Sequence, residues 1–376
     1  MSQNNCNEIV EQQDDISEYD SQIDYDDNIV KNELIGYPID IIIDHKNKIK
    51  STIIFDTISY DYYQKQIKMS GVKNMVDLMK LKFITKEGQP YNYWIPIKIP
   101  NNIFDQHAEH IKTFVAAIHN NIMNCNDIFC PEMILDVIIP ILNKISSLFA
   151  KDDDTFLEKA IYEYIYLLCI LYQIIEKYPE LKKLINKIVE SFYRSSYNRN
   201  RKTSGNLGEF VIKLFLSEYS WDDMSVKSSF LTEFFARQVY WMNKNDPELM
   251  NSLLPNRLQR AFAEAKISNQ LFLYNLYAIK YFYRIIPDII NNNFILKDEN
   301  MKEFIEIIKS INKINNYNTF IKMIDYYAII NTPEKMNNFI DDAILLSNKQ
   351  QYTQIQRTHP INNHTVLQRD TIFSKK

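Results

Sequence analysis

Ala160 to Ile175 reads AIYEYIYLLCILYQII, the longest apolar run in the chain. A bilayer needs about 20 such residues. This run falls short, carries Glu163 within it, and therefore reads as a helix buried in protein. Cys169 sits in its middle and reads as a small, inert core residue.

Helical signals continue on both sides of that run from Ile103 onward. Pro131 can occupy a first helical position ahead of EMILDVIIPILNKISSLF, where its missing amide costs nothing, and Pro140 falls inside the pattern. Thr155 and Glu158 have capping-box spacing, as do Asn206 and Glu209. Asp246-Pro247-Glu248 and Thr332-Pro333-Glu334 each offer an N-cap, a proline and an acid at a positive helix end. About nine or ten helices are expected between Ile103 and Asn348. The Pro-Glu-Leu of EKYPELKKL recurs in NKNDPELMNSLL without a fixed period, so no regular repeat is expected. FLTEFFARQVYWMNK and LFLYNLYAIKYFYRIIPDII carry rings round most of a helix, which predicts central helices.

Ahead of the helical part lies a small α/β region. Ile39–Ile43 and Thr52–Phe55 are β-branched runs on either side of a polar bend, a hairpin signal. Tyr60 to Leu81 reads helical, with a break at Gly71. PYNYWIPIKIP holds Pro90, Pro96 and Pro100, so a strand there belongs at an edge. The fold class expected is predominantly α-helical: an irregular multi-helix array with a small N-terminal hairpin-plus-helix region. Its divisions are an acidic disordered tail over 1–33, the α/β region over 34–100, the helical domain over 101–348 and a flexible C-terminal tail over 349–376. The first tail holds ten acids against Lys31 alone.

Composition excludes several classes. Only 5 glycines occur in 376 residues, which disfavours propellers and folds that bring many backbone turns against a cofactor. A net charge of -4 argues against coating nucleic acid or anionic membrane over the whole surface. The start, MSQNNCNEIVEQQDD, has no secretory pattern, and four cysteines make no disulfide framework. The expectation is a cytoplasmic protein without membrane insertion. The bias toward Ile, Asn, Lys and Tyr resembles that of chains from very AT-rich genomes, large DNA viruses and some protists among them. A viral source would make host cytoplasm or virion the compartment.

Candidate chemistry is sparse. His107, His110, Cys125 and Cys130 come nearest to a metal set, but the C-x4-C gap is wide, so no metal or other cofactor is expected. No GxSxG, HExxH or phosphate-loop pattern occurs. Gly205, Asn206 and Gly208 open a helix and form an anion-binding candidate.

SFYRSSYNRNRKTSGNLGEF is the most informative local feature. Arg194, Arg199, Arg201 and Lys202 occur with no acid between Glu190 and Glu209, and Tyr193 and Tyr197 interleave them. Guanidinium groups fork onto carboxylate or phosphate, and tyrosine rings pack in interfaces or on bases. Arg194, Tyr197, Arg199, Arg201 and Lys202 are the candidate interaction residues. The leading reading is a protein–protein interaction or scaffold protein with an unidentified protein partner. An enzyme whose site is assembled from dispersed residues, and a nucleic-acid module using the same loop, are the competing readings.

Overall fold

The two early β-branched runs pair as an antiparallel ladder. Strand β1 (Ile39–Asp44) lies against β2 (Lys50–Ser59), with Ile41 opposite Ile53 and Ile39 opposite Phe55. Two short strands, β3 (Phe83–Ile84) and β4 (Pro90–Tyr91), form a separate pair. Strand β5 (Tyr93–Ile97) runs parallel to β2 on the side away from β1. Its Pro96 therefore stands on an edge strand, where a missing amide is tolerated. The computed structural model describes residues 39–44, 50–61, 64, 68, 83–84, 90–91, 93–123, 127–151 and 154–353. The acidic stretch 1–33, most of the helix expected over Tyr60–Leu81, and everything after Thr353 lie outside the described residues.

Twelve α-helices and one 3-10 helix are described after the strands. They are α1 (Asn101–Met123), α2 (Glu132–Leu148), α3 (Asp154–Lys177), α4 (Pro179–Arg194), α5 (Arg201–Ser204), α6 (Leu207–Leu216) and α7 (Met224–Asn245). The 3-10 turn Pro247–Met250 precedes α8 (Arg257–Phe282), α9 (Ile286–Asn291), α10 (Asp298–Asn312), α11 (Tyr317–Met323) and α12 (Pro333–Lys349). The protein is thus a predominantly helical array with a small α/β region. The excess over nine or ten helices comes from one- and two-turn pieces such as α5, α9 and α11.

Burial separates central helices from peripheral ones. Peripheral α4 hides only Leu181, Ile185, Val189 and Phe192, a stripe at helical spacing. Helix α3 buries the whole run from Tyr164 to Leu171, as its composition requires. Helix α8 is the hub: it packs against α2, α6, α7, α10 and α11. On one side Phe272 meets Phe230, Phe234 and Trp221; on another Phe282 meets Phe304, and Tyr274 meets Phe149. Rings filling most of a helix circumference do mark central helices here, with Tyr240 and Trp241 as exposed exceptions.

Buried cations on α8 and α7 tie the last described helices to the centre of the array. Arg257, buried, donates from Nε to the Leu249 carbonyl (2.8 Å) and from Nη2 to Asp341 Oδ1 (2.7 Å). Lys227, also buried, donates from Nζ to the Asp325 carbonyl at 3.0 Å. A buried ion pair such as Arg257–Asp341 is a strong constraint on register, because removing one partner leaves the other charge unanswered.

Several helix starts agree with their sequence signals. Thr332 Oγ1 accepts from the Lys335 amide, and Asn206 Oδ1 accepts from that of Gly208. Others differ. Asp246 does not cap its turn; its carboxylate receives Arg260 from both Nε (2.8 Å) and Nη2 (2.6 Å). A bidentate guanidinium is a stronger partner than a single amide. Helix α3 begins at Asp154, one residue before Thr155, and Pro131 directly precedes α2.

Asp342, half-buried on α12 beside Asp341, has its carboxyl raised to about 6 by burial first and by the neighbouring carboxylate second. A raised acid binds more protons folded than unfolded. Its stabilising contribution is therefore present below the unfolded value and is lost as pH rises through about 6. Asp342→Asn should gain stability at pH 7.5, on the order of 1 kcal/mol once solvent screening of a half-exposed group is discounted, and little at pH 4. Thermal unfolding at the two pH values reads this difference.

Candidate functional site

The basic loop between α4 and α6 has a rigid backbone because a buried ion pair reaches out to hold it. Glu233, on α7, has no exposure, and Arg237 one turn on donates Nε to its Oε1 at 2.7 Å. The remaining guanidinium hydrogens go to the loop. Nη2 donates to the Arg199 carbonyl (2.9 Å) and Ser204 Oγ (2.7 Å), and Nη1 to the Gly205 carbonyl. One planar side chain thus clamps both ends of the turn from Arg199 to Gly205.

Within the turn, Asn200 closes the local geometry. Its Oδ1 accepts from the amides of Lys202 (2.9 Å) and Thr203 (3.2 Å), capping the single turn of α5. Its amide nitrogen donates back to the Tyr197 carbonyl. A third element arrives from beyond α12: Gln350 Nε2 donates to the Ser196 carbonyl (2.9 Å). Tyr352 donates its hydroxyl to Glu233 Oε1 (2.6 Å) and accepts from the Arg201 amide (2.7 Å).

Electrostatics reflect this enclosure. Burial pushes the Glu233 carboxyl up, against hydrogen bonds from Tyr352 and Arg237 and the charges of Arg237 and Arg199. Burial also carries the Tyr352 phenol up to about 12, helped by the Glu233 carboxylate, so it remains a donor near neutral pH.

The five sequence candidates separate into two groups. Arg194 pairs with Glu190 at 2.7 Å, one helical turn back, and Arg199 is buried with its charge felt by Glu233. Tyr197, Arg201 and Lys202 are exposed, Tyr197 at 78%. Arg201 and Lys202 form no ion pair among the described residues. The acids that answer Arg194 and Arg199 come from α4 and from α7, the latter far away in sequence. Glu233, Arg237 and Tyr352, which organise the loop, were not found by sequence reasoning. A Glu and an Arg four apart on a helix carry only a weak signal of pairing, and nothing local points them toward residue 199.

The anion-binding candidates have structural work of their own. Gly205 has φ of 65°, a left-handed turn suited to glycine. The Gly208 amide is held by Asn206, and a Cβ on Gly208 would lie 2.1 Å from Asn143 Oδ1 and 3.1 Å from Asn275 Nδ2. That glycine lets α6 approach α2 and α8. Of the metal alternative, His110 is part-buried on α1 and Cys130 is exposed ahead of α2; Cys125 and the side chain of His107 lie outside the described residues. Among the described residues no three His, Cys, Asp or Glu side chains gather as metal ligands.

Gly208→Ala should destabilise the fold by roughly 1–3 kcal/mol through overpacking. Urea unfolding of Gly208→Ala in an Asn143→Ala background should show a clearly smaller loss, since the clashing amide is gone. Comparison with protein-family models, with curated proteins and with solved structures finds no match to this chain.

Proposed function

We propose that this chain is a protein–protein interaction or scaffold protein whose helical body presents the 194–204 segment as a rigid basic dock for an acidic protein surface. The observation that supports it is the division of labour in that segment: Arg237, Asn200 and Tyr352 immobilise its backbone while Tyr197, Arg201 and Lys202 project into solvent. A loop already ordered loses little entropy on binding, and tyrosine and arginine are favoured anchors of interfaces.

Charge distribution supports an anionic partner. Residues 1–33 hold ten acids and one lysine, so the -4 of the whole chain leaves residues 34–376 at +5. Arg194 is exposed but paired with Glu190, and the two exposed cations without an ion pair among the described residues, Arg201 and Lys202, favour a carboxylate-bearing patch over a nucleic acid, whose binding usually enlists several phosphate contacts. Among the described residues no helix is long and apolar enough to cross a membrane, and the cytoplasm is the compartment proposed.

Combined replacement of Tyr197, Arg201 and Lys202 by Ser tests the reading. These side chains are exposed, so the circular dichroism spectrum and melting temperature should stay close to the parent's. Affinity capture with mass spectrometry should lose an acidic partner at least roughly tenfold, the usual scale of one or two hot-spot side chains. Unchanged capture would sink the placement. Salt-sensitive RNA retention by the parent, lost in the variant, would transfer the loop to nucleic-acid binding.

A further inference from the structure

The last described helix, α12, does not end where its hydrogen bonds run out; it ends in a strained turn that returns the chain to the basic loop. The Tyr352 amide donates to the Ser347 carbonyl and the Gln351 amide to the Asn348 carbonyl, the paired closure of a Schellman ending. That ending places Gln351 at φ of 61°. Glycine is the usual occupant, because a side chain there is disfavoured. A glutamine stays in that conformation only if the residues on either side are held in place.

Those residues form a four-residue strap, Gln350–Thr353, with attachments at both ends of the loop. Gln350 bonds the Ser196 carbonyl, and the Tyr352 hydroxyl bridges the Arg201 amide and the Glu233 carboxylate. Thr353 Oγ1 turns back to Ser347 Oγ (3.1 Å) and Asn348 Oδ1 (2.8 Å), fixing the strap to its own helix. Gln350 and Tyr352 are part-buried, Gln351 is exposed, and only Thr353 at the end of the strap is buried. A segment at the end of a helix that is held by a few directed hydrogen bonds and places no apolar side chain in the core belongs to the low-stability end of a fold and opens before the core does.

We propose that Gln350–Thr353 is a releasable strap that locks the basic loop, with the Tyr352 hydroxyl as its catch. When the strap is seated, the Arg201 amide is satisfied and Glu233 keeps a second donor. When it lifts, the Arg201 amide is freed, Glu233 keeps Arg237 as its one hydrogen-bond donor beside the charge of Arg199, and Gln351 can leave the left-handed region. The first two changes occur together because one hydroxyl joins them, and the third follows because Gln351 is the residue before Tyr352. A ligand that bound only the lifted strap would then alter the loop by the same coupling that lets the loop alter the strap. The inference stands on this geometry whatever binds the loop.

Hydrogen–deuterium exchange on the full chain tests it. Tyr352→Phe keeps the ring and removes the catch, and Gln350→Ala removes the second attachment. Each should accelerate exchange of the 198–204 amides, by roughly tenfold for Tyr352→Phe, the scale of losing a hydrogen bond to a charged group. Exchange in the 257–282 helix should not change. Loop exchange equal to the parent's in both variants would mean that Arg237 and Asn200 hold the loop unaided, and would overturn the proposal. Acceleration spread equally through the 257–282 helix would also overturn it, because the strap would then be part of the cooperative core.

Discussion

A carboxylate with no exposure, that of Glu233, can persist only if donors meet it inside the protein. Arg237 and Tyr352 supply them, and each brings a piece of chain along. Arg237 arrives on the same helix and its fork then has hydrogens left over, which the carbonyls of Arg199 and Gly205 accept. Tyr352 arrives from the end of the chain's last described helix and its oxygen lone pair is then open to the Arg201 amide. The two donors that meet this buried carboxylate, both at Oε1, thus also hold the exposed basic loop and the segment after α12. The loop's cations are displayed because its carbonyls are occupied elsewhere.

The scarcity of glycine explains a second set of features. Sharp reversals between elements need a positive φ, and a chain with 5 glycines fills most of the described ones with other residues. Asn256, Asn293 and Asp325 are the tolerant choices, while Lys98, Phe294 and Gln351 are costly ones. Two of the five glycines stand at the same junction: Gly205 for its φ and Gly208 for the close approach of α6 to Asn143 and Asn275. No other junction in the described chain combines both demands so closely. The basic loop is therefore attached to its helix by a joint that tolerates little substitution.

Features decided by neighbours a few residues away were readable from the residues themselves. The Ile39–Ile43 and Thr52–Phe55 runs pair, β5 takes an edge, Asn206 and Thr332 cap, and the ring-rich stretches form the hub. Features decided at long range were not. Asp246 has the spacing of a cap but meets Arg260 fourteen positions on. Pro-Glu-Leu begins an α-helix at Pro179 and only a 3-10 turn at Pro247, where Pro255 comes within two turns. Arg199 looks as solvated as Arg201 by composition, yet it is buried among partners drawn from α7. Gln351 gives no glycine signal for the turn it makes, and Tyr352 meets a carboxylate 119 residues earlier.

These two levels bear on how the loop can work. An exposed run of four cations would be a diffuse attractor, with each side chain sampling many rotamers and the backbone free to adapt. Burying Arg199 withdraws one of those charges and pairing exposed Arg194 with Glu190 offsets another, which leaves Arg201 and Lys202 beside Tyr197 on a backbone held by side chains from α7 and the strap. Less total charge in a fixed arrangement favours a partner of matching shape over any polyanion, because long-range attraction falls while orientation is retained. The cost is dependence on distant supports. For the proposed dock, a geometry that rests on a hydroxyl more than a hundred residues away would be specific only while that hydroxyl is in place, and this would make the strap, rather than the cations, the natural point at which its display is altered.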